Sequence, residues 1–292
     1  MINLSKAGQL AGDLGLLLEA EKVAHSFMKG VHGRRRVGTG EAFWQFRPWQ
    51  PGDARRDIDW RQSAKRDGAR APGSNLAVEH GGAFVRQTEW EATQTVWLYR
   101  DASTSMAFGV KKDYAETLLL ALGIVLLNGG EQVGLLGTDL APQTGYPSIQ
   151  RLHEMLPAQI HLAERGRPVA GRSHVVLISD FYFPVEGLAE FCEKLAVRHV
   201  SGTLVQVFDP AEQSLPYEGR IKFEDIEGQD TDPLDVPQVE AIREEYTQRF
   251  IAHQKALEDM ARGFGWAFEK FSTDVKPEAA LSQLYDVLSV KK

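Results

Sequence analysis

An α/β fold with a mostly parallel sheet sandwiched by helices is predicted by three observations. From residue 94 onward, short apolar strand patterns alternate with helical patterns, the signature of β-α-β units. Val175, Val176, Leu177 and Ile178 form a continuous apolar run of the kind that lies buried on both faces of a parallel sheet. Two of the strand patterns also run straight into a carboxylate, Asp101 after one and Asp180 after the other. In open α/β sheets, ligands bind at such carboxyl ends.

Each element follows in order. Residues 3–29 place Leu10, Leu14, Leu17, Leu18 and Val23 at helical spacing, so residues 1–30 are expected to form an N-terminal helix, with Gly12 or Gly15 as the point of any break. Residues 31–92 form a second segment. Phe43, Trp44, Phe46, Trp49, Ile58 and Trp60 occur there in short runs punctuated by Pro48 and Pro51-Gly52, which predicts small strands and turns, and residues 67–82 are expected to be a long loop. The α/β core is expected over 93–210. Strands are predicted at 95–99, 132–137, 174–179 and 203–208, with helices at 114–127, 148–156 and 185–197. Asn128-Gly129-Gly130 closes the first of these helices. Residues 211–236 depart from the alternation; 219–228 resembles an exposed hairpin strand and is expected to pair with the β-rich segment before residue 90. Residues 237–292 supply a helix to about Arg262, a strand at 266–271 and a last helix at 277–290.

Composition restricts the class of function. Apolar content of 43% and charged content of 25% are those of an ordinary globular chain. Cys192 is the only cysteine, so neither a disulfide framework nor a thiolate metal site is available and a reducing compartment is expected. Lys6, Asp13, Glu19 and Glu21 interrupt the N-terminus, and nothing approaches the roughly 18 apolar residues of a membrane span. A cytoplasmic protein without an integral membrane segment is the expectation. Residues 31–70 carry ten Arg or Lys against five Asp or Glu, a local +5 that leaves −12 for the rest of a chain of net charge −7. That acidic remainder argues against nucleic acid as the partner.

The loop after the first core strand reads Asp101-x-Ser103-x-Ser105. One carboxylate and two hydroxyls gather hard oxygen ligands, which suit Mg2+ or Mn2+ better than zinc or copper. Asp180 offers a fourth oxygen donor from a separate strand end. Thr144 stands where a third loop could add a hydroxyl, and Thr138 competes for that role. Asp and Ser after a strand are also common caps and turn formers, which is the structural alternative for each.

These residues carry two resemblances. Asp101-x-Ser103-x-Ser105, a later loop threonine and a strand-end Asp180 resemble the metal-ion-dependent adhesion site (MIDAS) of von Willebrand factor type A (vWA) domains. That likeness implies a vWA-like, Rossmann-type core over 93–210 holding one Mg2+. Ser103 and Ser105 would then ligate directly, Asp101 and Asp180 mainly through water, and Thr144 directly or through water. An acidic residue of a protein ligand would complete the coordination. The stretch from Gly40 to Ala64, with Arg47, Pro51-Gly52, Asp53, Arg56, Ile58, Asp59, Trp60 and Arg61, is similar to the signature of the DUF58 (domain of unknown function 58) family. Trp49 stands where that signature more often has Tyr, and many relatives carry N-terminal membrane helices that have no counterpart here. The resemblance implies a MoxR-type AAA+ ATPase as partner.

Within the signature, Arg47, Asp53, Arg56 and Asp59 alternate in charge around Gly52, which favours a structural network with Trp60 packed on the adjoining domain. Arg34, Arg35 and Arg36 are freer to meet an acidic partner. The interleaved Arg and Trp residues of 34–66 also fit single-stranded nucleic acid, a third reading that the intervening Asp residues weaken. For catalysis there is no phosphate-loop Gly-x-x-x-x-Gly-Lys, no His-Glu-x-x-His and no Gly-x-Ser-x-Gly. The expectation is a non-enzymatic, metal-dependent protein interaction module. The alternative is a metal-dependent phosphatase or nuclease using Asp101 and Asp180.

Overall fold

The computed structural model describes residues 4–31, 43–48, 58–61, 63, 84–88, 93–145, 147–156, 166–223 and 234–290. The chain divides into two compact units, one of Met1–Arg35 with Thr93–Lys292 and one of Arg36–Ala92.

The larger unit is a five-stranded parallel sheet flanked by helices, as the alternation predicts. Its strands are β3 (Thr95–Arg100), β4 (Gln132–Leu135), β5 (His174–Ser179), β6 (Ser201–Phe208) and β9 (Ala267–Ser272), in the order β4-β3-β5-β6-β9. Every neighbouring pair is parallel. The helices are α1 (Leu4–Val31), α2 (Lys111–Asn128), α3 (Pro147–Met155), α4 (Val185–Ala196), α5 (Pro210–Ser214), α6 (Val239–Gly263) and α7 (Pro277–Val290). From β3 the chain turns to β4 on one side, whereas from β5 it turns to β6 on the other. The switch in direction therefore falls between β3 and β5, where crevices open in such sheets.

Side-chain alternation along the strands separates two cores. Val96, Leu98, Val176, Ile178, Val205 and Val207 face a layer built from α1, α2, α3 and α7. Trp97, Tyr99, Val175, Leu177 and Leu204 face the opposite way, toward Leu188 and Cys192 of α4 and Leu257 and Ala261 of α6. Helix α2 is apolar nearly all round because it is covered nearly all round: residues 114–127 are buried between the sheet and the helices α1, α3 and α7. It stops at Asn128, and Gly130 then takes φ +85°, a conformation that glycine adopts without a Cβ clash. Helix α1 runs unbroken through Gly12 and Gly15. Ala20, Val23, Ala24 and Phe27 are its inward stripe, and Leu18 is exposed. At Gly202 of β6 an added Cβ would lie 2.1 Å from the Trp266 ring, so the strand must be bare there for the indole to close the second core.

Two small antiparallel pairs complete the description. In the smaller unit β1 (Phe43–Pro48) pairs with β2 (Phe84–Thr88), and Ile58 bridges to Val85. Asp59 N–H donates to the Phe84 carbonyl, and the Ser63 hydroxyl accepts from Phe84 N–H. In the larger unit β7 (Ile221–Phe223) pairs with β8 (Leu234–Val236). This differs from the expected pairing of residues 219–228 with the segment before residue 90. A nearer partner closes the hairpin locally, at a lower loop-closure cost.

Candidate functional site

The carboxyl ends of β3 and β5 bring Asp101 and Asp180 to one edge of the sheet, on the two strands that flank the switch point. Their register is fixed beyond the strands themselves, because Asp101 N–H donates to the Ile178 carbonyl at 2.9 Å. Both are buried, Asp101 at 5% exposure and Asp180 at 0%. Burying a carboxylate is costly unless every oxygen finds a partner.

Asp101 is satisfied by uncharged donors. Its Oδ1 accepts from Ser103 N–H at 2.8 Å and its Oδ2 from the Ser179 hydroxyl at 2.6 Å. The Ser179 hydroxyl in turn accepts from Phe181 N–H, and Phe181 turns the chain in a left-handed conformation at φ 57°. The Asp-x-Ser-x-Ser loop then passes into a 3-10 turn, Thr104–Ala107, anchored by buried Met106. Ser103 Oγ and Ser105 Oγ, both half-buried, stand 3.0 Å apart.

Asp180 is satisfied by a cation. The ammonium of Lys111, the first residue of α2, lies 2.8 Å from Asp180 Oδ2 and 2.5 Å from Glu212 Oε1. Tyr182 N–H donates to Asp180 Oδ1, and Gln206 Nε2 donates to the Asp180 carbonyl. Lys111 is 0% exposed, its Nζ over the rings of Tyr182 and Phe108 at 5.0 and 5.8 Å. Glu212 belongs to α5, a short helix with a capping box in which Asp209 accepts from Ala211 N–H and Glu212 Oε2 from Asp209 N–H. Burial holds the Glu212 carboxyl above its ordinary value despite the Lys111 bond, and burial raises the Tyr182 phenol, with Glu212 adding to that shift.

The other expected residues are placed as follows. Thr138 is buried and its hydroxyl donates to the Leu135 carbonyl, whereas Thr144 lies exposed in the loop before α3. Thr138 stands at the carboxyl end of β4, beside β3. Thr144 does not, because the chain folds back and Gln143 pairs antiparallel with Val133, which carries Thr144 toward the amino end of β4, away from Asp101. Arg100 points into the first core, pairing with Glu116 at 3.2 Å and donating to the carbonyls of Asp101 and Leu156. It thus meets the Asp101 carbonyl through this bond. Asp59 and exposed Trp60 are described in the smaller unit, Arg47 only through its backbone in β1. Arg34, Arg35, Arg36, Gly52, Asp53 and Arg56 lie outside the described residues.

The donor set fits a hard divalent cation in kind. Octahedral Mg2+ with bonds of about 2.0–2.1 Å separates neighbouring oxygens by about 3 Å, the spacing of the two serine hydroxyls. Among the described residues no group of three or more His, Cys, Asp or Glu converges as a metal cage, so such a site would be hydroxyl-rich. Sequence reasoning missed Lys111, Ser179 and Glu212. One signal was present: a lysine in the first turn of a helix is disfavoured by the helix dipole and calls for a carboxylate nearby.

Weak structural likenesses are to BatB, a conserved hypothetical protein of Bacteroides thetaiotaomicron, and to an aerotolerance-related membrane protein of Bacteroides fragilis. The first has TM-score 0.41 at 14% identity over 67% of this chain and 97% of that one. The second has TM-score 0.38 at 14% identity over 67% and 98%. In sequence the chain is 26% identical over 281 residues to uncharacterized proteins of Mycobacterium bovis and Mycobacterium tuberculosis, covering 89% of this chain and 83% of theirs. Residues 45–256 match the family profile described as "Protein of unknown function DUF58". That match spans well over half of the 292 residues, from the strand carrying Arg47 through both strand-end carboxylates, and the chain therefore belongs to the DUF58 family.

Proposed function

We propose that this protein is a non-enzymatic, metal-dependent interaction module whose strand-end site captures an acidic residue of a protein ligand through Mg2+ or Mn2+. One observation carries the reading: two buried carboxylates flank the switch point, and beside them two serine hydroxyls stand 3.0 Å apart and half-buried. Ser103 and Ser105 would hold the ion. Asp101 and Asp180, whose oxygens already accept hydrogen bonds, would act on it through water. The ion would supply the positive field that draws a carboxylate. The protein's part is to keep Asp101 fixed, by the Ser103 amide and the Ser179 hydroxyl.

The partner belongs to the same proposal: a MoxR-type AAA+ ATPase, as the family signature implies, with Arg34, Arg35 and Arg36 as a second contact. So does a cytoplasmic setting. Among the described residues no helix is long and apolar enough to cross a membrane.

The test is capture of the ATPase by the full chain, in Mg2+ and in chelator. Ser103→Ala combined with Ser105→Ala is expected to fold normally, to weaken Mg2+ binding about tenfold or more, and to lose the chelator-sensitive capture. Capture that is the same in Mg2+ and in chelator would defeat the reading. Phosphatase or nuclease turnover that vanishes in Asp101→Ala would replace it with the hydrolase.

A further inference from the structure

The Lys111 ammonium has the environment of a bound ion rather than of a surface charge. It is 0% exposed, fixed between Asp180 Oδ2 and Glu212 Oε1, and covered by two aromatic rings. The charges at this corner do not balance. Asp180 and Glu212 set two carboxylates against the one ammonium of Lys111. Yet a divalent ion and a buried ammonium repel each other strongly at low dielectric, and both are drawn to the same carboxylate.

We propose that Lys111 is a tethered cation that competes with the metal for Asp180, so that binding the ion requires the ammonium to give up Asp180 and remain on Glu212. This rests on the metal reading above and adds its control element. Glu212 suits the second role: its Oε2 is held by Asp209 N–H in the capping box, which leaves Oε1 aimed at Lys111. Asp180 keeps the Tyr182 amide on its other oxygen and is thereby held in place when the lysine leaves. The metal affinity of the module is thus set low by its own lysine, and a ligand that draws Lys111 toward Glu212 raises it.

The experiment is calorimetric titration of the full chain with Mg2+, and with Mn2+, for wild type, Lys111→Gln, Glu212→Gln and the double variant, with Tm recorded in each state. Lys111→Gln is expected to bind about tenfold tighter than wild type and to gain more Tm from Mg2+. Glu212→Gln weakens binding in the wild-type background, because the ammonium then has only Asp180, and weakens it less when Lys111 is already Gln. Equal affinity of wild type and Lys111→Gln, or equal weakening by Glu212→Gln in both backgrounds, overturns the inference and leaves the metal reading standing. No binding by any of the four chains sinks both. If Lys111→Gln is unfolded in chelator, folding restored by Mg2+ supports the competition, and a chain unfolded in both conditions overturns it.

Discussion

Asp101 and Asp180 occupy equivalent places, each just past a buried parallel strand, yet the protein compensates them differently. Around Asp101 the partners are a backbone amide and a serine hydroxyl, both neutral. Around Asp180 an ammonium ion takes one oxygen. Neutral dipoles fix the Asp101 carboxylate without cancelling its charge, whereas the ammonium that fixes Asp180 also pairs with it directly. The half-buried serine pair lies in the loop that Asp101 begins.

Three changes would break or sharpen this contrast. The largest effect is expected from Lys111→Met without added metal, which strands buried Asp180 and half-buried Glu212 and should cost about 3–5 kcal/mol in urea unfolding. A loss under about 1 kcal/mol would mean that Asp180 does not depend on the lysine. Ser179→Ala is next. It strips one hydrogen bond from the ionised Asp101 and should cost about 1.5–3 kcal/mol by the same measurement. The smallest effect concerns Glu116, behind Asp101 on the other side of β3. Burial lifts its carboxyl above the ordinary range, and Arg100 only partly opposes this. The folded protein then retains a proton that the unfolded chain has released, so stability falls as pH rises from the ordinary carboxylate value through the raised one. Glu116→Gln should remove that fall, seen as a Tm difference between variant and wild type that grows with pH; a difference independent of pH would contradict it.

The sequence made the framework plain where one signal dominated. Val175 to Ile178 could only be a strand buried on both faces, and all four are 0% exposed. Pro277 and Val290 bound the last helix as the apolar spacing predicts. Where tertiary context decided, the pattern misled or fell silent. Gly12 and Gly15 are weak helix residues, yet the stripe from Ala20 to Phe27 packs firmly and α1 continues through both. Of the site, Asp101, Ser103, Ser105 and Asp180 were visible as strand-end polar residues. Lys111 carried only the weak signal of a first-turn lysine, because Lys111-Lys112-Asp113 looks like an ordinary solvated helix start and nothing in it says which of the two lysines turns inward. Glu212 was hidden for a related reason: its partner is 101 residues away in sequence, and only the order β3-β5-β6 brings them together.

The Ser179 hydroxyl has a consequence for how this corner can change over time. It donates to Asp101 and accepts from Phe181, a residue held in a backbone conformation that costs about 1–2 kcal/mol for anything but glycine or asparagine. The aim of a carboxylate on one strand is thus set by a turn at the end of another. Substitutions at 101, 179 and 181 will not add independently, since each shifts the hydrogen bonds of the other two. A turn at the end of β5 is thereby coupled to a carboxylate 78 residues earlier in the chain.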